Sequence, residues 1–211
     1  MSKKEIPEIK IILLGDSAVG KTSIIKRFNE NTFIADEASS VTMSYVDQIV
    51  NINNKKYKLN IWDTIGQEQY RSISKLFLNG TKIAILVYSI ENKKSFESLN
   101  YWYSICKDEF GDDIILGVCG NKIDRYLDQE VPSEEGRNFA NDKNALFVEV
   151  SAKEDKIFIK KFFLSLVEMY ADKTTNFLRN KENKRIKLKQ DNDSNSNGKN
   201  KKDKRCCSSK K

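Results

Sequence analysis

The sequence predicts an α/β fold: a six-stranded, mostly parallel sheet with one antiparallel edge strand and helices on both faces. Two observations carry this. Short apolar runs recur along the chain with amphipathic stretches between them, and one pair of runs closes on Asn53-Asn54. Ile9–Leu14 is a near-continuous apolar run, as a buried strand requires. Lys21–Asn29 spaces Ile24, Ile25 and Phe28 for one face of a helix. Tyr45–Ile52 and Tyr57–Trp62 alternate in part, which suits a hairpin. Lys82–Ile90 and Ile114–Cys119 read as central strands, and Leu146–Val150 as a shorter one. Between them Ser95–Phe110 and Glu154–Tyr170 read as helices, the second with Ile157, Phe158, Phe162, Leu166 and Val167 on one stripe. Pro132-Ser133-Glu134-Glu135 reads as a helix start, with Ser133 as N-cap. Cys106 and Cys119 fall on a helix and a strand and read as core residues.

At 211 residues the chain suits one domain with an appendage. Histidine is absent, which excludes Ser-His-Asp and Cys-His nucleophile pairs and the HExxH zinc helix. Four cysteines are too few and badly placed for a disulfide scaffold, so a reduced, intracellular chain is expected. No apolar run approaches the roughly 20 residues needed to cross a bilayer. The N-terminus is not patterned as a signal peptide, and Ser2 argues against myristoylation.

The net charge of +7 is unevenly placed. Of 37 Lys/Arg and 30 Asp/Glu, residues 179–211 hold 13 and 4, leaving 24 and 26 for residues 1–178. The body is thus about neutral, which disfavours a nucleic-acid-binding domain. A basic tail points instead to an anionic membrane reached by a tether. Residues 1–172 are expected to form the domain. Residues 173–211, poor in apolar side chains, are expected to be a disordered basic tail.

Gly15-Asp16-Ser17-Ala18-Val19-Gly20-Lys21-Thr22, followed by Ser23, matches GxxxxGK[ST] between a predicted strand and a predicted helix. The match predicts the phosphate loop of a P-loop NTPase fold. Successive backbone N–H groups cradle phosphate oxygens at a helix N-terminus. Lys21 can reach the β- and γ-phosphates, and the Thr22 hydroxyl can ligate Mg²⁺. Asp63-Thr64-Ile65-Gly66 follows another strand. Its carboxylate suits a Mg²⁺-bound water, and Gly66 leaves room for its N–H near the γ-phosphate.

Asn121-Lys122-Ile123-Asp124 follows a third strand. A carboxylate is acceptor-only, so Asp124 suits guanine N1–H and the 2-amino group, which adenine lacks. Ser151-Ala152-Lys153 follows the last strand and can offer a backbone N–H to guanine O6.

With these motifs in this order, residues 8–171 resemble a small GTPase of the Ras superfamily, and most closely the Rab family. The Rab resemblance rests on Lys58–Glu68, on Tyr70-Arg71-Ser72-Ile73, and on the paired cysteines of the tail. It implies that Phe33 lies near the guanine edge. It also implies that Ser40 ligates Mg²⁺ and senses the γ-phosphate, and that Gln67 orients the attacking water, with Lys21 as its catalytic companion. Tyr45, Trp62 and Phe77 match the aromatic effector face; for each, and most clearly for Trp62, a packing role competes. Three positions depart from the family pattern: Ser40 for Thr, Thr42 for Gly, and Ile65 for a small residue. They bear on switching, exchange and hydrolysis rather than on guanine binding.

The resemblance further implies a monomeric switch that hydrolyses GTP slowly. Its partners would be effectors, an exchange factor, a GTPase-activating protein and a chaperone of prenylated Rabs. Its place would be the cytoplasmic face of an endosomal or Golgi/secretory membrane, in exchange with cytosol. Cys206-Cys207 precede Ser208-Ser209-Lys210-Lys211, so the ending is not a CaaX box. Prenylation of both cysteines is the first reading, and a soluble tail with two idle thiols is the other. A competing function is a GTP-bound scaffold without useful hydrolysis.

Overall fold

The computed structural model describes residues 6–30, 32, 44–64, 78–111 and 113–196, the side chains of 44 and 178–196 excepted. Strand β1 (Glu8–Leu14) explains its own composition: it has a parallel neighbour on each side, and Ile9 and Ile11–Leu14 are wholly buried. With β2 (Ser44–Ile52), β3 (Lys55–Asp63), β4 (Thr81–Ser89), β5 (Ile115–Asn121) and β6 (Leu146–Val150) it forms a sheet of order β2-β3-β1-β4-β5-β6. Among the described strands only β2 and β3 pair antiparallel. Their turn, Asn53-Asn54, has φ of 49° and 61°, the doubly positive geometry of a two-residue hairpin. Six strands, mostly parallel with one antiparallel edge, is the predicted sheet.

Among the described residues the helices are α1 (Lys21–Asn29), α2 (Lys93–Glu97), α3 (Leu99–Phe110), α4 (Ser133–Asp142) and α5 (Lys156–Ser196), with a 3-10 turn at Ile123–Asp128. Alternation along the strands divides the core between two faces. Ile12, Leu14, Ala84, Leu86 and Tyr88 pack with Leu99, Trp102 and Cys106 of α3 and Ala140 of α4. Ile11, Leu13, Ile83 and Ile85, at the intervening positions, are equally buried. Gly117 of β5 leaves the space that Phe162 and Leu166 of α5 fill, since a Cβ there would lie 2.7 Å from Phe162. Phe28 of α1 stacks on Phe163 of α5 with ring centroids 4.3 Å apart.

Several local expectations are corrected. The helix predicted over 95–110 is two helices meeting at Ser98, and Asn92 caps the first by accepting the Ser95 N–H at 3.1 Å. Ser133 is not the N-cap of α4. Pro132 holds that position, and the Ser133 hydroxyl is engaged by the Glu149 carboxylate. The buried stripe of α5 is Ile159, Phe162, Phe163, Leu166 and Val167, whereas Ile157 and Phe158 are exposed. The stripe therefore begins two residues later than the apolar pattern suggests, at Ile159 rather than Ile157.

The chain divides into two units, Met1–Tyr170 and Ala171–Lys211. In the second, the backbone of α5 stays helical to Ser196, and the Thr175 hydroxyl donates to the Ala171 carbonyl at 2.8 Å. Composition forbids a core there, but a helix supplies its own backbone hydrogen bonds. Residues 179–190 are rich in Lys, Arg and other good helix formers. Among the described residues no helix is long and apolar enough to cross a membrane.

Parallel register brings the loops that matter to one edge. Leu13 lies opposite Asp63, Ser89 opposite Asn121, and Asn121 opposite Val150. The loops after β1, β3, β5 and β6 thus leave the same carboxyl end, with β1 at the point where the strand order switches sides. Open α/β sheets bind ligands there.

Candidate functional site

The loop between β1 and α1 is shaped by close approach. Gly15 (φ 152°) lies so near β4 that a Cβ would stand 2.2 Å from the Val87 carbonyl oxygen. A Cβ on Gly20 (φ 96°) would stand 2.2 Å from Asn121 Nδ2. Ala18 also has positive φ, 60°, without a glycine's freedom. Lys21 is 5% exposed and curls back over the loop, donating to the carbonyls of Gly15 and Asp16 at 2.8 Å each. Burial pushes its ammonium down to about 8, against the opposing pull of Asp63 and Asp16. A buried cation held only by loop carbonyls and nearby carboxylates suits an incoming polyphosphate.

Thr22, in the first turn of α1, donates its hydroxyl to Asp63 Oδ2 at 2.6 Å. Asp63 is 2% exposed. The next residue, Thr64, donates to the Leu13 carbonyl at 2.6 Å and pins the chain where β3 ends beside β1. Among the described residues no three His, Cys, Asp or Glu side chains cluster as a protein-only metal cage. A hydroxyl and a carboxylate beside a phosphate loop form instead the sparse, hard-oxygen set that Mg²⁺ accepts, phosphate and water filling the other positions. The residues fit the ion.

The base-side loops are bound to the phosphate loop and to each other. Asn121, 1% exposed, donates through Nδ2 to the Val19 carbonyl at 2.8 Å and accepts the Ala152 N–H through Oδ1 at 3.1 Å. One side chain therefore joins three loops. Ser151 donates its hydroxyl to Asp124 Oδ1 at 2.6 Å, and its own N–H is received by Asp155 at 3.2 Å. Lys122 has left-handed backbone (φ 68°) and donates to Glu91 at 2.7 Å, while Arg125 donates to the other Glu91 oxygen at 2.8 Å. Burial raises the Glu91 carboxyl, but the hydrogen bonds from Lys122 and Arg125 prevail and hold it below the usual range.

The phosphate-loop residues Gly15–Ser23 thus meet Asp63, Asn121, Lys122, Asp124, Ser151, Ala152 and Lys153 along one edge. Phe33, Ser40, Thr42, Ile65, Gly66, Gln67, Phe77, Cys206 and Cys207 lie outside the described residues. On β2 and β3, Tyr45 (59% exposed) stacks on Trp62 with centroids 5.3 Å apart, and Lys10 of β1 lies 4.6 Å over the indole. They line a cleft of about 350 Å³ with Glu8, Asn60 and Gly80. Trp62 also packs partly against the core, so the two readings of that residue are not exclusive.

Three contributors were missed in the sequence. Arg27 of α1 donates to the carbonyls of Ala152 and Lys153 at 2.7 and 2.5 Å, Glu91 orients Lys122, and the Trp102 indole donates to Asp16 Oδ1 at 2.9 Å. Each bridges positions far apart in the chain. Trp102 and Asp16 are 86 residues apart, and no local pattern signals such a pair.

A sequence model of the Ras family matches residues 10–172. Ras-related protein RabJ of Dictyostelium discoideum is 38% identical over 149 residues, which are 71% of this chain and 58% of that protein. This chain therefore spans less than two thirds of RabJ. Ras-related protein Rab-2B of the same organism is 38% identical over 68% of this chain and 71% of its own length. Ras-related protein Rab11A of Lotus japonicus is 34% identical over 76% and 71%. With the family match across most of the chain, and Rab relatives of 30% identity or more covered over two thirds of their length, the protein belongs to the Ras family as a small GTPase of the Rab kind.

Proposed function

We propose that the protein is a guanine-nucleotide switch of membrane traffic that hydrolyses GTP to GDP and phosphate. The observation that carries this reading is the joined set of loops: Lys21 folded over the phosphate loop, Thr22 against Asp63, and Asn121 tying Val19 to Ala152 beside the Ser151–Asp124 pair. The triphosphate lies along residues 15–23, and Asp124 receives the guanine edge. Adenine would leave that carboxylate facing an acceptor.

Thr22 and Ser40 would hold Mg²⁺ directly and Asp63 through water, and the ion would neutralise charge on the phosphate oxygens. Lys21 and the loop amides stabilise the charge that builds on the transferring phosphoryl group. Gln67 orients water for in-line attack. The Rab resemblance assigns no arginine of the chain, Arg71 included, to this step, so unassisted turnover is slow and a GTPase-activating protein accelerates it. The segments around Ser40 and Gln67 respond to the γ-phosphate, and effectors read the result over Tyr45, Trp62 and Phe77. An exchange factor resets the switch. Lipids on Cys206 and Cys207, with the tail's basic residues, hold the protein on the cytoplasmic face of an anionic endosomal or secretory membrane; two chains anchor where one does not. A chaperone of the prenylated form returns it to cytosol, and the switch acts as a monomer.

Single-turnover hydrolysis of radiolabelled GTP by the purified chain tests the catalytic half. Slow phosphate release that Gln67→Leu abolishes is the expected result. Retention of intact GTP by both proteins would instead favour the non-hydrolysing scaffold.

A further inference from the structure

We infer that Trp102 is a positioning residue for nucleotide binding: its indole N–H fixes the Asp16 carboxylate and thereby the start of the phosphate loop. This rests on the nucleotide-binding reading above. Trp102 is 5% exposed on α3 and packs in the cluster that includes Leu14, Leu86, Ile90 and Leu99. Its ring is therefore anchored in the core, yet its one polar atom reaches out of the core to Asp16 Oδ1 at 2.9 Å. Asp16 is bound twice. Its carboxylate accepts from Trp102, and its carbonyl accepts from Lys21 at 2.8 Å. The other end of the loop has its own external tie, Asn121 Nδ2 to the Val19 carbonyl at 2.8 Å. The loop is thus held at both ends by side chains from different elements, one on α3 and one on β5.

The chemistry explains why the first tie matters. A carboxylate in a loop built to receive a polyanion repels its ligand if it swings inward. A hydrogen bond from a rigid indole confines it and shares its charge. Without that donor, Asp16 gains freedom, and the loop must be ordered anew each time a nucleotide binds.

The full-length chain, loaded with methylanthraniloyl-GDP and chased with excess GDP, tests this. Trp102→Phe keeps an aromatic ring and removes the donor, and its release of the nucleotide should be about tenfold faster, as for loss of a charge-assisted hydrogen bond. Asp16→Ala should behave alike, and Trp102→Phe/Asp16→Ala should be no faster than Asp16→Ala alone. Parent-like release by Trp102→Phe, or two effects that simply multiply, overturns the proposal, since a merely loosened core would not depend on Asp16. Should Trp102→Phe fail to fold, the indole N–H signals in proton–nitrogen spectra decide. Asp16→Ala should move the Trp102 indole proton upfield and leave that of Trp62 in place; an unmoved signal overturns the tie. A parent chain that retains no GDP overturns the nucleotide reading itself, and that result is separable because the indole signal needs no nucleotide.

Discussion

Lys21 shows how much one side chain's surroundings decide. Its ammonium is buried beside two carbonyl acceptors, and desolvation brings its pKa to about 8. A polyphosphate needs the charged form, so nucleotide affinity should be flat below pH 8. It should fall by up to about tenfold per unit above it, until the pKa of the complex is reached. The empty protein should move oppositely. Between about pH 8 and the ordinary lysine range the unfolded chain binds a proton that the folded chain has released, so stability rises with pH. Fluorescence titration with methylanthraniloyl-GDP and urea melts of the nucleotide-free chain, both from pH 7 to 10, check the two signs. Lys21→Arg, which does not titrate, should lose the affinity trend even if it binds weakly.

Among the elements, the loops of the carboxyl edge depend on one another more than on their own sequences. Asn121→Ala leaves the Ala152 N–H and the Val19 carbonyl without their partner, both in buried surroundings. A loss of about 2–4 kcal/mol in urea denaturation is expected, with guanine-nucleotide affinity down at least roughly tenfold. The strands and the phosphate loop were legible in advance because their signals are local: the Ile9–Leu14 run, the Asn53-Asn54 turn, the spacing of Gly15, Gly20 and Lys21. The start of the α5 stripe was not, because Ile157 and Phe158 have the right period and only tertiary packing leaves them exposed. Ser133 failed as a cap because the extended residue before the helix is Pro132, which makes Ser133 the first helical residue, its hydroxyl donating to Glu149 of β6. Arg27, Glu91 and Trp102 were illegible because their partners are distant in the chain and their residue types fit ordinary surface or core roles.

The whole molecule joins an almost neutral domain to a strongly basic end. Residues 179–211 carry 13 Lys/Arg against 4 Asp/Glu. Each basic group near an anionic surface contributes about 1 kcal/mol, falling away within a Debye length. The prenylated chain should therefore bind phosphatidylserine vesicles more tightly than neutral ones, and the difference should shrink as salt is raised. Replacing Cys206 and Cys207 by Ser should shift the protein from membranes to cytosol in cells while leaving nucleotide affinity unchanged. Fractionation together with the fluorescence titration reads both. Membrane retention of the double-serine variant would place the anchor elsewhere.

Purine choice is the property on which the proposed switch depends most directly. Isothermal titration of the magnesium-containing, nucleotide-stripped chain with GTP and then ATP should give GTP an advantage of at least roughly a hundredfold. Asp124→Asn should erase most of it, because an amide cannot accept from both guanine donors. Equal affinity for the two nucleotides, or a preference that survives Asp124→Asn, would contradict the assignment of the base pocket and of the switch built on it.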